Sequence, residues 1–260
     1  MSELRLLLPG PAVVGDLTGD RADALQALAD LYAYPDPLPA RGWVRANMVA
    51  TLDGAAGDAT GSSAGISAPA DQTLLGVLRA LADVLVVAAG TARAEGYRPL
   101  AARAAFAERR HDAGQRPAAQ VAVVTRSGEL DALPDLVAPD AGTLVVTCAS
   151  APLARMRERV GADNVVVAGD DDVDPARAVA ELAERGLRRV LLEGGPTLLG
   201  RVAAAGCLDE LCLTWSPLLV AGGAARIAHG PPASLRLRAA HLVAYEDLLF
   251  GRWLVVDARS

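Results

Sequence analysis

The sequence predicts a three-layer α/β/α fold around one mixed, mostly parallel sheet with antiparallel C-terminal strands. Three observations carry that expectation. From Trp43 onward, short apolar runs alternate with helical patterns, as in a sheet covered by helices. Runs such as Val84-Leu85-Val86-Val87 and Val190-Leu191-Leu192 lack polar alternation, which suits strands buried on both faces. After Gly206 the helical patterns stop, and three strand-like segments follow one another.

Residues 1–40 are acidic and punctuated by prolines. They read as a peripheral lead-in holding one helix, Arg21 to Leu31, which stops before Pro35, Pro37 and Pro39. Residues 41–260 form the main domain. Strands are expected at residues 43–50, 84–89, 120–125, 143–148, 164–168 and 189–193. Helices fit residues 69–82, 101–113, 151–160, 174–185 and 196–205. Helix 69–82 opens on Pro69 and lines up Leu74, Leu75, Leu78, Leu81 and Ala82 on one stripe. The closing strands are residues 208–220, 234–245 and 248–257, the last two joined tightly at Glu246-Asp247 and adding antiparallel pairs. No repeat or linker breaks the chain, so one domain with a short lead-in is the simplest count.

A chain of 260 residues is long enough for a full core. Hydrophobic residues at 52% and charged residues at 22% give a globular balance. All 25 basic residues are Arg. The absence of Lys excludes Schiff-base lysine chemistry and a Walker-type phosphate loop. A net charge of −6 and only nine aromatic residues argue against a nucleic-acid surface. Cys148, Cys207 and Cys212 lack CxxC spacing, and His111, His229 and His241 are scattered. No metal site is therefore expected, and the cysteines read as reduced thiols of a cytoplasmic protein. The first residues, broken by Pro9 and Pro11 and without a basic leader, do not read as a secretory signal. No apolar run reaches the roughly 18 residues of a membrane span.

Four segments are candidates for chemistry. In Leu192-Glu193-Gly194-Gly195-Pro196-Thr197-Leu198 an apolar strand ends, two glycines turn, and a helix begins. Glycines allow close backbone approach and a helix start favours a phosphate, although the same residues also make an ordinary strand–helix turn. Thr125-Arg126-Ser127 follows another strand; two hydroxyls and a guanidinium suit a phosphate monoester such as the 2′-phosphate of NADPH, or else form a solvated turn. Gly90-Thr91 follows strand 84–89 in the same way. Asn47 to Gly54 leads a strand into a Gly/Ser/Ala-rich loop ending near Ser67. Loops on rigid strands often line sites, while Asp53 before Gly54 equally fits a turn.

In this order, Thr51-Leu52-Asp53-Gly54, Leu78-Arg79-Ala80-Leu81-Ala82-Asp83, Gly90-Thr91 and Glu193-Gly194-Gly195-Pro196-Thr197-Leu198-Leu199 resemble the pyrimidine reductase family. This is the reductase domain of riboflavin-biosynthesis deaminase/reductases, and it implies a dihydrofolate reductase-like fold over residues 43–257. The resemblance implies hydride transfer from NADPH to the ring-opened ribosyl imine of a phosphoribosylaminopyrimidine, such as 5-amino-6-(5-phosphoribosylamino)uracil, by a homodimer. Carried over by position, Gly194, Gly195, Thr197 and Leu198 would hold the pyrophosphate. Gly90 and Thr91 would meet the nicotinamide end, and Thr125, Arg126 and Ser127 the 2′-phosphate. Asn47, Ser67 and Arg79 would bind substrate, with Asp53 and Glu193 as the catalytic carboxyl groups.

Glu193, beside Gly-Gly at a strand end, is expected to be partly buried with a raised pKa. Arg79 suits a substrate phosphate, or else pairs with Asp83 four residues on. Two departures qualify the resemblance. The family's Asp-Asp-Pro segment after Gly-Thr is replaced by Ala94-Glu95-Gly96-Tyr97-Arg98-Pro99-Leu100, and no zinc-binding His/Cys set for a deaminase is present. A pterin or folate is the alternative substrate; its ring wants a buried carboxylate, for which Asp71 or Asp53 qualifies. A non-catalytic nucleotide-binding protein is the third reading, and the intact cofactor motifs oppose it. Among the few rings available to stack on a heterocycle, Tyr97 and Trp215 stand out.

Overall fold

The computed structural model describes residues 3–10, 12–16, 21–138 and 140–256. Its elements in chain order are β1 (Glu3–Leu8), β2 (Ala12–Asp16), α1 (Arg21–Leu31), β3 (Trp43–Thr51), α2 (Pro69–Leu81), β4 (Val84–Ala88), α3 (Ala89–Ala94), α4 (Ala107–Asp112) and β5 (Gln120–Val124). There follow β6 (Leu144–Thr147), α5 (Leu153–Val160), β7 (Val165–Val167), α6 (Pro175–Glu184), β8 (Arg189–Leu192), α7 (Pro196–Ala204), β9 (Glu210–Ser216), β10 (Arg236–Tyr245) and β11 (Leu248–Val256). Among the described residues the strands make one sheet in the order β2-β1-β10-β11-β9-β3-β8-β4-β5-β6-β7.

From β9 to β7 every pairing is parallel, and from β9 outward to β2 every pairing is antiparallel. The expected mixed sheet is present, with one correction: β9 lies parallel to β3 and only its other edge, toward β11, is antiparallel. The side-chain period of two explains the unbroken apolar runs. Val84 and Val86 pack with Leu182, Leu198 and Val202 of α6 and α7. Leu85 and Val87 point the other way, toward Met156 and Val160 of α5. Each face of β4 is thus covered, and polar alternation has no place.

Helix α2 starts with Pro69 and ends where Ala82 turns extended into β4. Leu74, Leu78 and Leu81 enter the core as expected, joined by Val77. Each such buried side chain contributes about 2 kcal/mol relative to exposure. Leu75 departs from the stripe and lines a cleft instead. The expected helix 101–113 shrinks to a 3₁₀ turn at Ala104–Phe106 and the short α4. The expected strand 208–220 stops at Ser216, before Pro217. The strand 248–257 ends at Val256, and residue 257 lies outside the described residues.

The lead-in is not peripheral. β1 pairs with β10 and with β2, and Leu25, Leu28 and Ala29 of α1 share a core cluster with Val243 and Phe250. Polar bonds pin it as well. Arg252 donates to the carbonyls of Leu31 at 2.6 Å and Ala33 at 2.9 Å. The same Arg252 reaches Glu210 at 2.9 Å, and the wholly buried Arg45 donates to Glu210 at 2.7 Å. Trp43 Nε1–H adds a bond of 2.9 Å. Burial alone would raise the Glu210 carboxyl's pKa, but Arg45 and Arg252 outweigh it and hold it below the ordinary range. This network staples β3, β9, β11 and the end of α1 together.

Candidate active site

A cleft of about 850 Å³ opens at the carboxyl ends of β3, β8 and β4, where open α/β sheets collect ligands. Its size suits a small-molecule site. Its walls are the loop after β3 (Ala56 to Ser67), the first half of α2, and the segment Ala94 to Ala101. Ser63 Oγ donates to Glu95 at 2.6 Å and clasps two of these walls together. A second hollow of about 880 Å³, lined by Asp83, Gln115, Gln120, Leu144 and Val165, sits at the amino ends of the strands. Asp83 there accepts the backbone N–H groups of Arg188 at 3.0 Å and Arg189 at 2.7 Å. Its carboxylate closes a chain turn.

The polar centre of the cleft is Glu193. Arg79 Nε and Nη2 hold its two oxygens at 2.7 and 2.6 Å, and Tyr97 Oη–H donates to Oε2 at 2.8 Å. The guanidinium also lies 5.4 Å from the centroid of the Tyr97 ring. Burial opposes the charge on Arg79, yet bonding to Glu193 outweighs it and raises the pKa. Burial, followed by the Glu193 charge, pushes the Tyr97 phenol far up, so it stays a donor. Arg79 therefore pairs with Glu193, 114 residues on, and not with Asp83. Glu193 is buried as expected, but its surroundings are a guanidinium and a phenol.

The glycine turn abuts this centre. Gly194 has φ of +95°, which a glycine adopts without strain. A Cβ on Gly195 would stand 2.5 Å from Thr91 Oγ1, so this close approach needs glycine. Gly90, Thr91 and Gly195 all line the cleft. Thr197 is exposed at the start of α7. Leu198 corrects the expectation: its N–H is committed to the Gly195 carbonyl at 2.9 Å and its side chain is in the core. Gly90-Thr91 lies within the short α3, directly after β4.

One strand further out, Thr125 is buried and its hydroxyl accepts Gly128 N–H at 3.1 Å. Arg126 is exposed. Ser127 Oγ accepts Glu129 N–H at 3.4 Å. None of these three lines the cleft; they follow β5, which is next to β4 in the sheet.

On the opposite wall, Asn47 lines the cleft with its Oδ1 buried and without a partner. Ser67 Oγ donates to Asp71 Oδ2 and accepts from Gln72 Nε2 at 2.7 Å. Asp71 is 5% exposed, and Thr214 Oγ1 donates to its Oδ1 at 2.6 Å. Burial raises the Asp71 pKa against the two hydroxyl bonds.

Asp53 stands apart. It does not line the cleft, and its oxygens accept the Thr51 hydroxyl and the N–H groups of Val220 and Ala221. Those bonds lower its pKa, and its work is to anchor the loop after β9. Trp215 also lies elsewhere, edge-on to Trp253 at 6.1 Å. Arg103, unremarked in the sequence, borders a smaller pocket that shares Gln72, Arg79, Leu100 and Ala101 with the cleft edge. Among the described residues no group of three or more His, Cys, Asp or Glu side chains is placed to hold a metal ion. No helix among them is long and apolar enough to cross a membrane.

The chain is similar to known proteins. The chain is 29% identical over 182 residues to the 2,5-diamino-6-ribosylamino-4(3H)-pyrimidinone 5′-phosphate reductase of Archaeoglobus fulgidus, covering 70% of this chain and 83% of that one. It is 32% identical to the protein of the same name from Methanothermobacter thermautotrophicus, covering 72% and 82%. In structure it resembles a pyrimidine reductase-like protein from Corynebacterium diphtheriae with a TM-score of 0.75, 24% identity, and coverage of 88% and 98%. Residues 42–249 match the RibD C-terminal domain family. The chain thus belongs to the RibD C-terminal domain family of pyrimidine reductases and is an oxidoreductase.

Proposed function

We propose that the cleft reduces the ribosyl group of a phosphoribosylated aminopyrimidine, using NADPH, on the route to riboflavin. The observation that carries this reading is the Arg79–Glu193–Tyr97 centre set directly against the Gly194-Gly195 turn. The relatives named above reduce an aminopyrimidinone carrying a 5′-phosphate, and the deaminated uracil form is the other candidate of the same class.

The residues present fit a dinucleotide laid across the strand ends. Gly195 leaves no room for a side chain beside Thr91, while a Cβ on Gly90 would meet nothing within 4 Å. The lone Asn47 Oδ1 offers a buried acceptor. Gly90, Thr91, Gly194, Gly195 and Thr197 would hold the nicotinamide and pyrophosphate portions, and Thr125, Arg126 and Ser127 the 2′-phosphate. When bound, the reduced nicotinamide supplies the hydride. The chain's own part is orientation and exclusion of water. Arg79 and Tyr97 fix Glu193 as an orienting acceptor for substrate, and Asn47 and Ser67 flank it. The Ala94-to-Leu100 wall shields the centre from solvent. Asp53 acts at one remove, through the loop it anchors.

Arg126→Ala should weaken NADPH by about 10- to 100-fold, the worth of a charged hydrogen bond, while NADH binding changes little. Titrations of both cofactors check this, and equal losses would remove the 2′-phosphate assignment. We infer a homodimer from the exposed Leu52, Leu218 and Leu219, which are adjacent because Leu52 N–H bonds the Leu218 carbonyl. The free Cys148, Cys207 and Cys212 suit a reducing compartment, and we assign the enzyme to the cytoplasm.

A further inference from the structure

The cofactor proposed above brings more negative charge than the walls of the cleft meet. Asp71, Glu95 and Glu193 line the cleft, and the cations on its walls are engaged, Arg79 with Glu193 and Arg98 with Asp135 at 3.4 Å. At the Gly194-Gly195 turn the backbone leaves room, and the first turn of α7 offers a partial positive charge. Gly194, Gly195, Pro196 and Thr197 carry no full charge of their own. The chain has no Lys, so a side-chain counter-ion for a pyrophosphate at this turn has to be an Arg.

The segment between β9 and β10 carries one to this place. It is fastened to the loop after β3 at several points. Leu52 N–H donates to the Leu218 carbonyl at 2.9 Å, Asp53 accepts the N–H groups of Val220 and Ala221, and Ala56 N–H donates to the Ala225 carbonyl at 2.8 Å. Shortly after, it is fastened to α7. His229 N–H donates to the Pro196 carbonyl at 3.0 Å, and a Cβ on Gly200 would stand 2.3 Å from the His229 carbonyl oxygen. Ala228 packs against the cluster that holds Leu198 and Val202. The segment is thus a strap laid from the β3 wall of the cleft to the first turn of α7. Ala224 and Ala225 line the cleft together with Gly195 and Pro196, and Arg226 comes next in the strap, before the bond to Pro196. Arg226 is exposed and makes no hydrogen bond or ion pair among the described residues. The strap is held on both sides of Arg226, yet its guanidinium is uncommitted.

We propose that Arg226 is the counter-ion of the cofactor pyrophosphate, brought to the Gly194-Gly195 turn by the strap. Its forked donors match two phosphate oxygens. This rests on the nicotinamide reading above and adds a contact that NADPH and NADH share, unlike the one assigned to Arg126.

Binding of NADPH and of NADH to the full chain should be titrated by the fluorescence of the reduced nicotinamide, for the wild type, Arg226→Ala and Arg226→Lys, with folds checked by circular dichroism. Arg226→Ala should weaken both cofactors by the same factor, about 10- to 100-fold. Arg226→Lys keeps the charge without the fork and should recover part of that loss. The loss should shrink as KCl is raised from about 0.05 to 0.5 M, because an exposed charge pair is screened. Unchanged binding of both cofactors in Arg226→Ala overturns the proposal. So does a loss confined to NADPH, which would put Arg226 on the 2′-phosphate. A wild type that binds neither cofactor overturns the nicotinamide reading beneath it.

Discussion

Glu210 and Asp71 are both buried acids on the same sheet framework, and they are treated in opposite ways. Glu210 meets Arg45, Arg252 and the Trp43 indole, so its charge is matched on every side. Asp71 meets two hydroxyls and borders a cleft. The first arrangement closes a structure upon itself, whereas the second leaves acceptor capacity toward a space that a ligand can enter. Burial alone does not separate a structural carboxylate from a functional one; the partners do.

The comparison can be broken most forcefully at Glu210. Glu210→Ala leaves Arg45 buried without its counter-charge and should cost about 3–5 kcal/mol, read as a shift in the urea midpoint. Loss below 1 kcal/mol would mean that the network does not hold β3 to β9 and β11.

His241 tests the same region through pH. Burial, then the Arg252 charge, pushes it down to about 4 from 6.5. The unfolded chain therefore binds the proton more readily between those values. Stability is full above pH 6.5 and should fall by on the order of 3 kcal/mol as pH drops toward 4. His241→Phe, which keeps a ring edge-on to Tyr32, should flatten this slope in urea melts at pH 7 and 4.5.

The smallest effect sharpens the Asp71 side. Its pKa is raised in the fold, so the folded state binds the proton more tightly than the unfolded one. Its stabilising contribution is present below the unfolded pKa and lost as pH rises through the folded value. Asp71→Asn should accordingly gain roughly 1 kcal/mol near pH 7 and little near pH 3, by thermal melts at both. A loss at pH 7 would place Asp71 with Glu210 as a structural acid.

Much of the parallel half was legible in the sequence, because each apolar run there reports its own burial. Strands β3 to β8 fall within a residue or two of their expected bounds, and Arg21 to Leu31 matches α1 in full. The edge pair β1 and β2 was not legible. Leu4 alone in β1 is fully buried, and the strand exists through pairing with β10, more than two hundred residues away. Asn47, Ser67, Arg79, Gly90, Thr91, Glu193 and Gly195 all line one cleft, although Arg79 lies on α2 and Ser67 just ahead of it, so that no single strand-end rule joins them. Asp53 read as a candidate because Asp-Gly fits either a turn or a site; in the fold it accepts the N–H groups of Val220 and Ala221 and does not line the cleft.

By itself, then, the sequence determined the layered fold, the excluded chemistries and the glycine turn, since these follow from local pattern and composition. The lack of Lys removed amine chemistry and left phosphate recognition to Arg, hydroxyls and glycine. Tertiary structure decided which charges meet. The pairings of Arg79 with Glu193 and of Thr214 with Asp71 join residues 114 and 143 positions apart. No local periodicity encodes such partners, and the partners determine what each buried acid can do.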